Sequence, residues 1–103
     1  MKVSVIINDN LSKQQLEHAY LLCLAWLNFE HQVNVVFIGQ AFERIHSKPT
    51  NQKQWLALKS YGIDAFYHLR AAKNHPSSAT EQHCQIIDQS KFELLKTKMD
   101  LLL

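Results

Sequence analysis

Residues 33–39 read Val-Asn-Val-Val-Phe-Ile-Gly, and this stretch decides the fold class. Its near-continuous apolar character is typical of a strand that is covered on both faces of a parallel sheet. Upstream, Lys2–Ile7 is rich in Val and Ile and predicts a first strand. Between the two strands, Ser12 and Gln15 form a capping-box pattern, and apolar residues then recur at helical spacing over residues 13–29. The order strand, helix, strand predicts a right-handed βαβ unit and therefore a parallel sheet.

The rest of the chain continues this alternation of helices and strands. Gly62 is positioned as a left-handed residue that ends a helix, with Ile63 making the hydrophobic contact of a Schellman cap. In chain order, the further predicted elements are a short helix (41–45), a loop (46–51), a helix (52–61), a strand (65–69), a short helical turn and loop (70–80), a strand (83–87), a helix capped by Asp88 and containing Phe92, Leu95 and Met99, and a strand (101–103). The sequence therefore predicts one α/β domain over residues 1–103, a three-layer αβα sandwich with a mainly parallel sheet of four or five strands.

Composition places the chain among ordinary globular proteins. Of 103 residues, 47% are hydrophobic and 19% charged, which is too apolar for intrinsic disorder. The formal net charge is only +2, so we expect no direct binding to nucleic acid. The longest apolar run, residues 19–27, is about half the ~20 residues that cross a bilayer, and the first strand is too short for a signal peptide. We therefore expect a cytoplasmic protein without a membrane span.

Glycine and histidine positions argue against the common cofactor and metal sites. The chain contains only Gly39 and Gly62, and the turn after the first strand, residues 8–11, has no glycine to let backbone amides approach a phosphate. We therefore expect no dinucleotide or P-loop site and no cofactor. Five of the six histidines stand singly, and the sixth, His83, adjoins Cys84 on a predicted strand, where neighbouring side chains point to opposite faces. We therefore expect no metal site and treat the histidines as surface residues.

The two cysteines have different surroundings in the sequence. Cys23 lies on the apolar stripe of the first helix and is interpreted as a small buried hydrophobe. Cys84 follows His83 near a loop, which leaves open an exposed thiol whose thiolate a neighbouring positive charge would stabilise. It is the one candidate catalytic residue, although nothing in the sequence places a base beside it. Independent catalysis is therefore not indicated.

The first helix is apolar over more than one face, and this predicts an oligomer. One side of a small sheet cannot cover all of its apolar side chains, so several should be exposed and should associate with another chain, giving a dimer or trimer. The apolar residues in question are Leu16, Ala19, Tyr20, Leu22, Cys23, Leu24, Trp26 and Leu27. Four aromatic residues are assigned either to the core or to a subunit interface: Trp26, Trp55, Phe66 and Tyr67.

Three segments resemble the DsrE/DsrF-like family, and within it the TusC/DsrF type. Val33–Phe42 resembles the second strand of that family and the turn after it. Lys53–Ile63 resembles its amphipathic helix, which ends in a glycine turn. Asp88–Leu103 resembles its closing helix and terminal apolar strand. The resemblance implies a flavodoxin-like or Rossmann-like αβα sandwich that forms homo- or hetero-oligomers, including a heterohexamer of three related subunits.

The resemblance also implies a functional context, the transfer of persulfide sulfur toward tRNA 2-thiouridine or in sulfur oxidation. The family's active cysteine lies at the end of the third strand, where this chain has Leu69, flanked by His68 and Arg70. A sulfur-accepting role therefore carries over to none of these residues. Gln40-Ala41 is a second departure, because the family favours an acidic residue and glycine there.

The expected function is that of a non-catalytic or accessory subunit of a sulfur-relay assembly. Its expected partners are related DsrE-like subunits and a persulfide-carrier protein. Two alternatives stay open: a small thiol sulfurtransferase that uses Cys84, and a stand-alone homo-oligomeric interaction or ligand-binding module without a sulfur role.

Overall fold

The helices and strands alternate along the chain as a parallel α/β fold requires. The computed structural model describes residues 2–69 and 83–102. The strands are β1 (Lys2–Ile7), β2 (Gln32–Ile38), β3 (Ala65–Leu69), β4 (Gln85–Ile87) and β5 (Leu101–Leu102), and the helices are α1 (Lys13–Asn28), α2 (Ala41–His46), α3 (Pro49–Ala57) and α4 (Gln89–Lys98).

The strands form one five-stranded sheet in the order β4-β3-β2-β1-β5, and every neighbouring pair is parallel. Strand β2 has partners on both sides, and residues 33–37 are all buried. This burial on both faces explains the near-continuous apolar run, because a parallel strand covered by helices has no solvent side. The prediction of an α/β fold with a parallel sheet is confirmed.

Two apolar clusters lie on opposite faces of the sheet. Because side chains alternate along a strand, Val35 of β2 joins the cluster that α1, α2 and α3 cover, whereas Val36 joins the cluster that Phe92 of α4 covers. Val5 and Ile6 of β1 divide in the same way. Helices therefore pack on both faces, and the predicted three-layer sandwich is confirmed.

Local signals in the sequence position the ends of the helices. The Ser12 hydroxyl accepts a hydrogen bond from the Gln15 amide at 3.2 Å, and the Gln15 side chain accepts one from the Ser12 amide at 2.8 Å. This reciprocal pair is the predicted capping box. Asp88 caps α4 in the predicted way by accepting from the Lys91 amide. Gly62 has φ +96°, and the following Ile63 amide donates to the Leu58 carbonyl at 3.0 Å, as in a Schellman cap.

Some predicted boundaries are wrong. The loop predicted over residues 46–51 instead contains the start of α3, because Pro49 occupies the first helical position, where its missing amide hydrogen costs nothing. This helix ends at Ala57, and tight turns lead from there to Gly62. Strand β4 begins at Gln85 rather than at residue 83, and Met99 follows α4 as its C-cap. The turn and loop predicted over 70–80 lie outside the described residues.

Helix α1 places its apolar residues differently from the prediction. Several of the eight apolar residues named above were expected to be exposed. All eight are buried or half-buried, so that expectation is wrong. The exposed large apolar residues of this segment are instead Leu21, 54% exposed, and Phe29, 74% exposed. Trp55 and Phe66 belong to the core, whereas Trp26 and Tyr67 are half-buried against it. None of the helices within the described ranges is long and apolar enough to cross a bilayer.

Candidate functional site

The carboxyl ends of the parallel strands meet at one edge of the sheet, where α/β proteins of this kind place their ligand sites. Here β1 runs into the turn at residues 8–10, β2 into Gly39 and Gln40, and β4 into Asp88. The side chains of Asp9 and His68 reach into this edge. We call these residues the strand-end edge.

Asp9 connects the turn after β1 to the turn after β2. Its carboxylate accepts a hydrogen bond from the Gln40 amide at 3.3 Å. Gly39 has φ +67°, and a Cβ at that position would lie 2.5 Å from Oδ2 of Asp9. Arg44 of α2 donates from its guanidinium to the Asp9 main-chain carbonyl. The contacts of Asp9 therefore hold two strand ends and one helix together, and Gly39 leaves the room for its carboxylate.

His68 is buried at the same edge, with 6% of its surface exposed. The expectation that the histidines are surface residues is wrong for this one, because alternation along β3 turns it toward the α1–α3 layer. Its Nε2 lies 3.0 Å from the carbonyl oxygen of Gly39, which can only accept, so Nε2 carries the proton. Its Nδ1 is buried and has no hydrogen-bond partner among the described residues. The hydrogen bond from His68 therefore fixes the position of the Gly39 turn.

Leu69, the second residue of the predicted site region, points the other way. It is half-buried and packs against the cluster formed by Val36, Ile87 and Phe92. Neighbouring side chains of a strand face opposite sides of the sheet, so the structure does not bring His68 and Leu69 together on one surface. Arg70, the third residue of the predicted site region, lies outside the described residues.

Both cysteines are buried within the first core cluster. Burial raises the pKa of the Cys23 thiol to about 12 and that of the Cys84 thiol also to about 12. Lys59 is the positive neighbour that the sequence left open for Cys84, and it lowers the pKa of that thiol, but less than burial raises it. The sequence left the exposure of Cys84 open, and in this structure the residue is buried: it precedes β4 and lies inside the core.

Within residues 2–69 and 83–102, no hydrogen bond joins Cys84 to His68: Nε2 of His68 contacts the Gly39 carbonyl, and its Nδ1 has no partner there. The same ranges contain no group of three His, Cys, Asp or Glu side chains that could hold a metal ion. The described part of the strand-end edge is built from contacts that position loops.

Sequence reasoning missed the connection between Asp9, Gly39 and Arg44. One signal was present, a carboxylate two residues after the first strand and a glycine directly after the second, since two parallel neighbours bring these positions together. Neither a family model nor a curated protein matches the chain. Fold and site define its class as a parallel α/β domain whose strand-end edge is closed by contacts between its own loops.

Proposed function

We propose that this chain is a non-catalytic subunit of a persulfide-transfer assembly, of the kind used in tRNA 2-thiouridine formation or in sulfur oxidation. The sulfur context is supported by the resemblance of Val33–Phe42, Lys53–Ile63 and Asp88–Leu103 to the DsrE/DsrF-like family. The observation that carries the non-catalytic part is the burial of both thiols.

Persulfide transfer begins with attack by a thiolate, and this chain holds its thiols in the protonated state. A pKa of about 12 for Cys84 leaves on the order of 10⁻⁵ of that thiol ionised at pH 7. The apolar, half-buried Leu69 has no atom that can accept sulfur. In such an assembly a related subunit supplies the reactive cysteine, and this chain contributes a surface that binds the other subunits.

The outer face of α1 supports a role in assembly. Leu21, Ala25 and Phe29 are exposed there, and the sequence has no Asp, Glu, Lys or Arg between Glu17 and Glu30. Charged residues are depleted from the cores of protein interfaces, and aromatic residues are enriched there. We call Leu21, Ala25 and Phe29 the α1 stripe, and we assign the contact with related subunits to it.

Sulfur loading of the isolated protein tests the non-catalytic part. The folded chain is incubated with inorganic polysulfide, and its intact mass is compared with those of Cys84→Ser, of Cys23→Ser and of the wild type unfolded in urea. We expect a sulfur adduct on the unfolded wild type and none on the folded protein. A stable adduct on the folded wild type that Cys84→Ser removes and Cys23→Ser keeps would instead establish the thiol sulfurtransferase.

Co-expression tests the assembly part. The tagged chain is produced together with related α/β subunits encoded by neighbouring genes, and the purified material is weighed by native mass spectrometry. We expect a mixed complex of defined composition. Recovery of the tagged chain only with copies of itself would favour the stand-alone module and contradict the proposal.

A further inference from the structure

A groove of about 610 Å³ opens between α1, α2 and α3, beside the strand-end edge. Its volume is within the range of small-molecule sites in proteins. The floor is apolar and comes from Leu11, Leu16, Tyr20 and Trp55. The Tyr20 and Trp55 rings pack edge to face with centroids 5.7 Å apart, and only 3% of Trp55 is exposed. The floor is therefore part of the packed core.

The rim of the groove is charged and mostly basic. Lys13 begins α1, Arg44 lies on α2 and Lys48 directly precedes α3, so three separate elements each bring one cation. Among the lining residues that the structure describes, Glu17 is the one carboxylate, which leaves these residues a formal charge of +2. Within residues 2–69 and 83–102, no ion pair involves any of these three cations. Their charge is therefore available to a ligand.

Among the three cations, Arg44 has a side chain that is held in position by a hydrogen bond. Its donation to the Asp9 carbonyl ties the guanidinium to the turn that leads into α1. A guanidinium has five N–H donors, so this bond leaves donors for a second acceptor. The nearby N-terminus of α1 is already capped by Ser12, and the charge of the groove comes from side chains.

We propose that the groove binds a small molecule that carries a phosphate group on an apolar or aromatic body. A phosphate monoester carries close to two negative charges at neutral pH, which balances the charge of the rim. The fork of an arginine matches phosphate oxygens, and lysines contribute as point charges. No glycine-rich loop is needed, because three side chains supply what backbone amides supply in such loops. This site is independent of the proposed function.

Titration with phenyl phosphate tests the site on the full chain. Binding is followed by amide chemical shifts and by calorimetry, with inorganic phosphate, phenol and benzoate as comparison ligands. We expect phenyl phosphate to bind more tightly than each of the other three, because it alone uses both rim and floor. Lys13→Gln and Lys48→Gln should each weaken its binding by about tenfold, as loss of a charged contact does.

Lys53→Gln is the matched control, because Lys53 is exposed on α3 but does not line the groove. The variant removes the same charge and should leave the affinity for phenyl phosphate within twofold of the wild type. Thermal midpoints of all variants establish that each is folded. Equal weakening by Lys53→Gln, benzoate binding as tight as phenyl phosphate, or no binding of phenyl phosphate at all would each overturn the proposal.

Discussion

Gly39 has both a backbone and a steric reason to be glycine. Its φ of +67° is disfavoured for residues with a side chain, and a Cβ there would meet the Asp9 carboxylate at 2.5 Å. We expect Gly39→Ala to lower the free energy of unfolding by about 2 kcal/mol, since the variant combines backbone strain with displacement of Asp9. Urea denaturation followed by circular dichroism measures this loss.

Gly62 is the control for this prediction. It also has a positive φ, +96°, but an added Cβ would meet no atom within 4 Å. Gly62→Ala should therefore lose only the backbone part, about 1 kcal/mol. If both alanine variants lost the same free energy, the contact between residue 39 and Asp9 would have no energetic role.

The buried thiols make the stability of the protein depend on pH in the alkaline range. Folding raises the pKa of Cys23 and of Cys84 from about 9 to about 12. Above pH 9 the unfolded chain releases these protons while the folded chain retains them, so stability falls as the pH rises from 9 to 12. The expected slope is ~1.4 kcal/mol per pH unit for each thiol.

Serine variants separate the thiols from other groups that titrate in this range. Urea unfolding of the wild type, Cys23→Ser and Cys84→Ser is compared at pH 6, 7, 8, 9 and 10.5. Each variant should show the shallower decline above pH 9, with slopes equal to that of the wild type below pH 8. An unchanged alkaline slope in a variant would mean that the substituted thiol is accessible to solvent in the folded state.

At the scale of single residues, the burial of Cys23 could be predicted from the sequence, whereas the burial of His68 and of Cys84 could not. Cys23 lies on a helical stripe whose period is visible in the sequence. The burial of His68 depends on which face of β3 receives the α1–α3 layer, and this is decided by packing. The sequence predicts a strand over 83–87, but β4 begins at Gln85, so strand alternation does not place the Cys84 side chain, and its burial is decided by packing.

The capping box of α1 is the clearest local determinant at the scale of an element. Ser12 and Gln15 satisfy each other's amides at the start of the helix that covers the sheet. We expect Ser12→Ala to lower the free energy of unfolding by about 1 kcal/mol, because an amide of the first turn loses its acceptor. Chemical denaturation gives this value directly.

Asp88→Ala offers the comparison within the same fold. Asp88 caps α4 by a single hydrogen bond to the Lys91 amide, without a reciprocal partner in the way that Gln15 serves Ser12. Ser12→Ala and Asp88→Ala should both lower the free energy of unfolding. Gln15→Ala should lower it more in the wild-type chain than in a chain that already carries Ser12→Ala. Strict additivity of Ser12→Ala and Gln15→Ala would show that the two hydrogen bonds do not act as a pair.

Element boundaries were predictable where a local signal was strong. The capping box and Asp88 each gave the correct start of a helix, whereas Gly62 ends the turns that follow α3, five residues beyond the last helical residue, Ala57. The start of α3 was missed because Pro49 was interpreted as a loop residue, although proline is also common at the first helical position. A proline thus gave an ambiguous signal that only its neighbours in space resolve.

At the scale of the whole molecule, the α1 stripe predicts association. We expect Leu21→Glu and Phe29→Glu to shift the isolated chain from a dimer or trimer toward the monomer, because each places a charge in an apolar contact. Size-exclusion chromatography with light scattering measures the molar mass. The folded state of each variant is checked by its thermal midpoint.

Leu94→Glu is the matched control for the stripe. Leu94 is 61% exposed on α4, on the other face of the sheet, and its exposure lies between those of Leu21 and Phe29. This variant should keep the molar mass of the wild type. A 12 kDa monomer for the wild type at micromolar concentration, or equal dissociation by all three variants, would remove the basis for assigning an interface to α1.

The overall architecture followed from the sequence more completely than the strand order did. Alternating strands and helices, together with the apolar run in β2, imply a parallel sheet whatever the order of its edges. The place of β5 beside β1 rests on the register of two residue pairs, Val3 with Leu101 and Ser4 with Leu102. So short a pairing has no sequence pattern of its own. It depends on the direction in which the chain leaves α4.

The shortest strands of the sheet stand at its two borders, three residues in β4 and two in β5. A border strand presents unpaired amides and carbonyls, which are a template for a foreign strand when the border is long and flat. Within the described part of the chain, these borders offer only a few such groups. A strand of a neighbouring molecule therefore finds few backbone groups to pair with, which disfavours extension of the sheet into cross-β fibrils. Contacts between copies of the chain are then made by the helical surfaces.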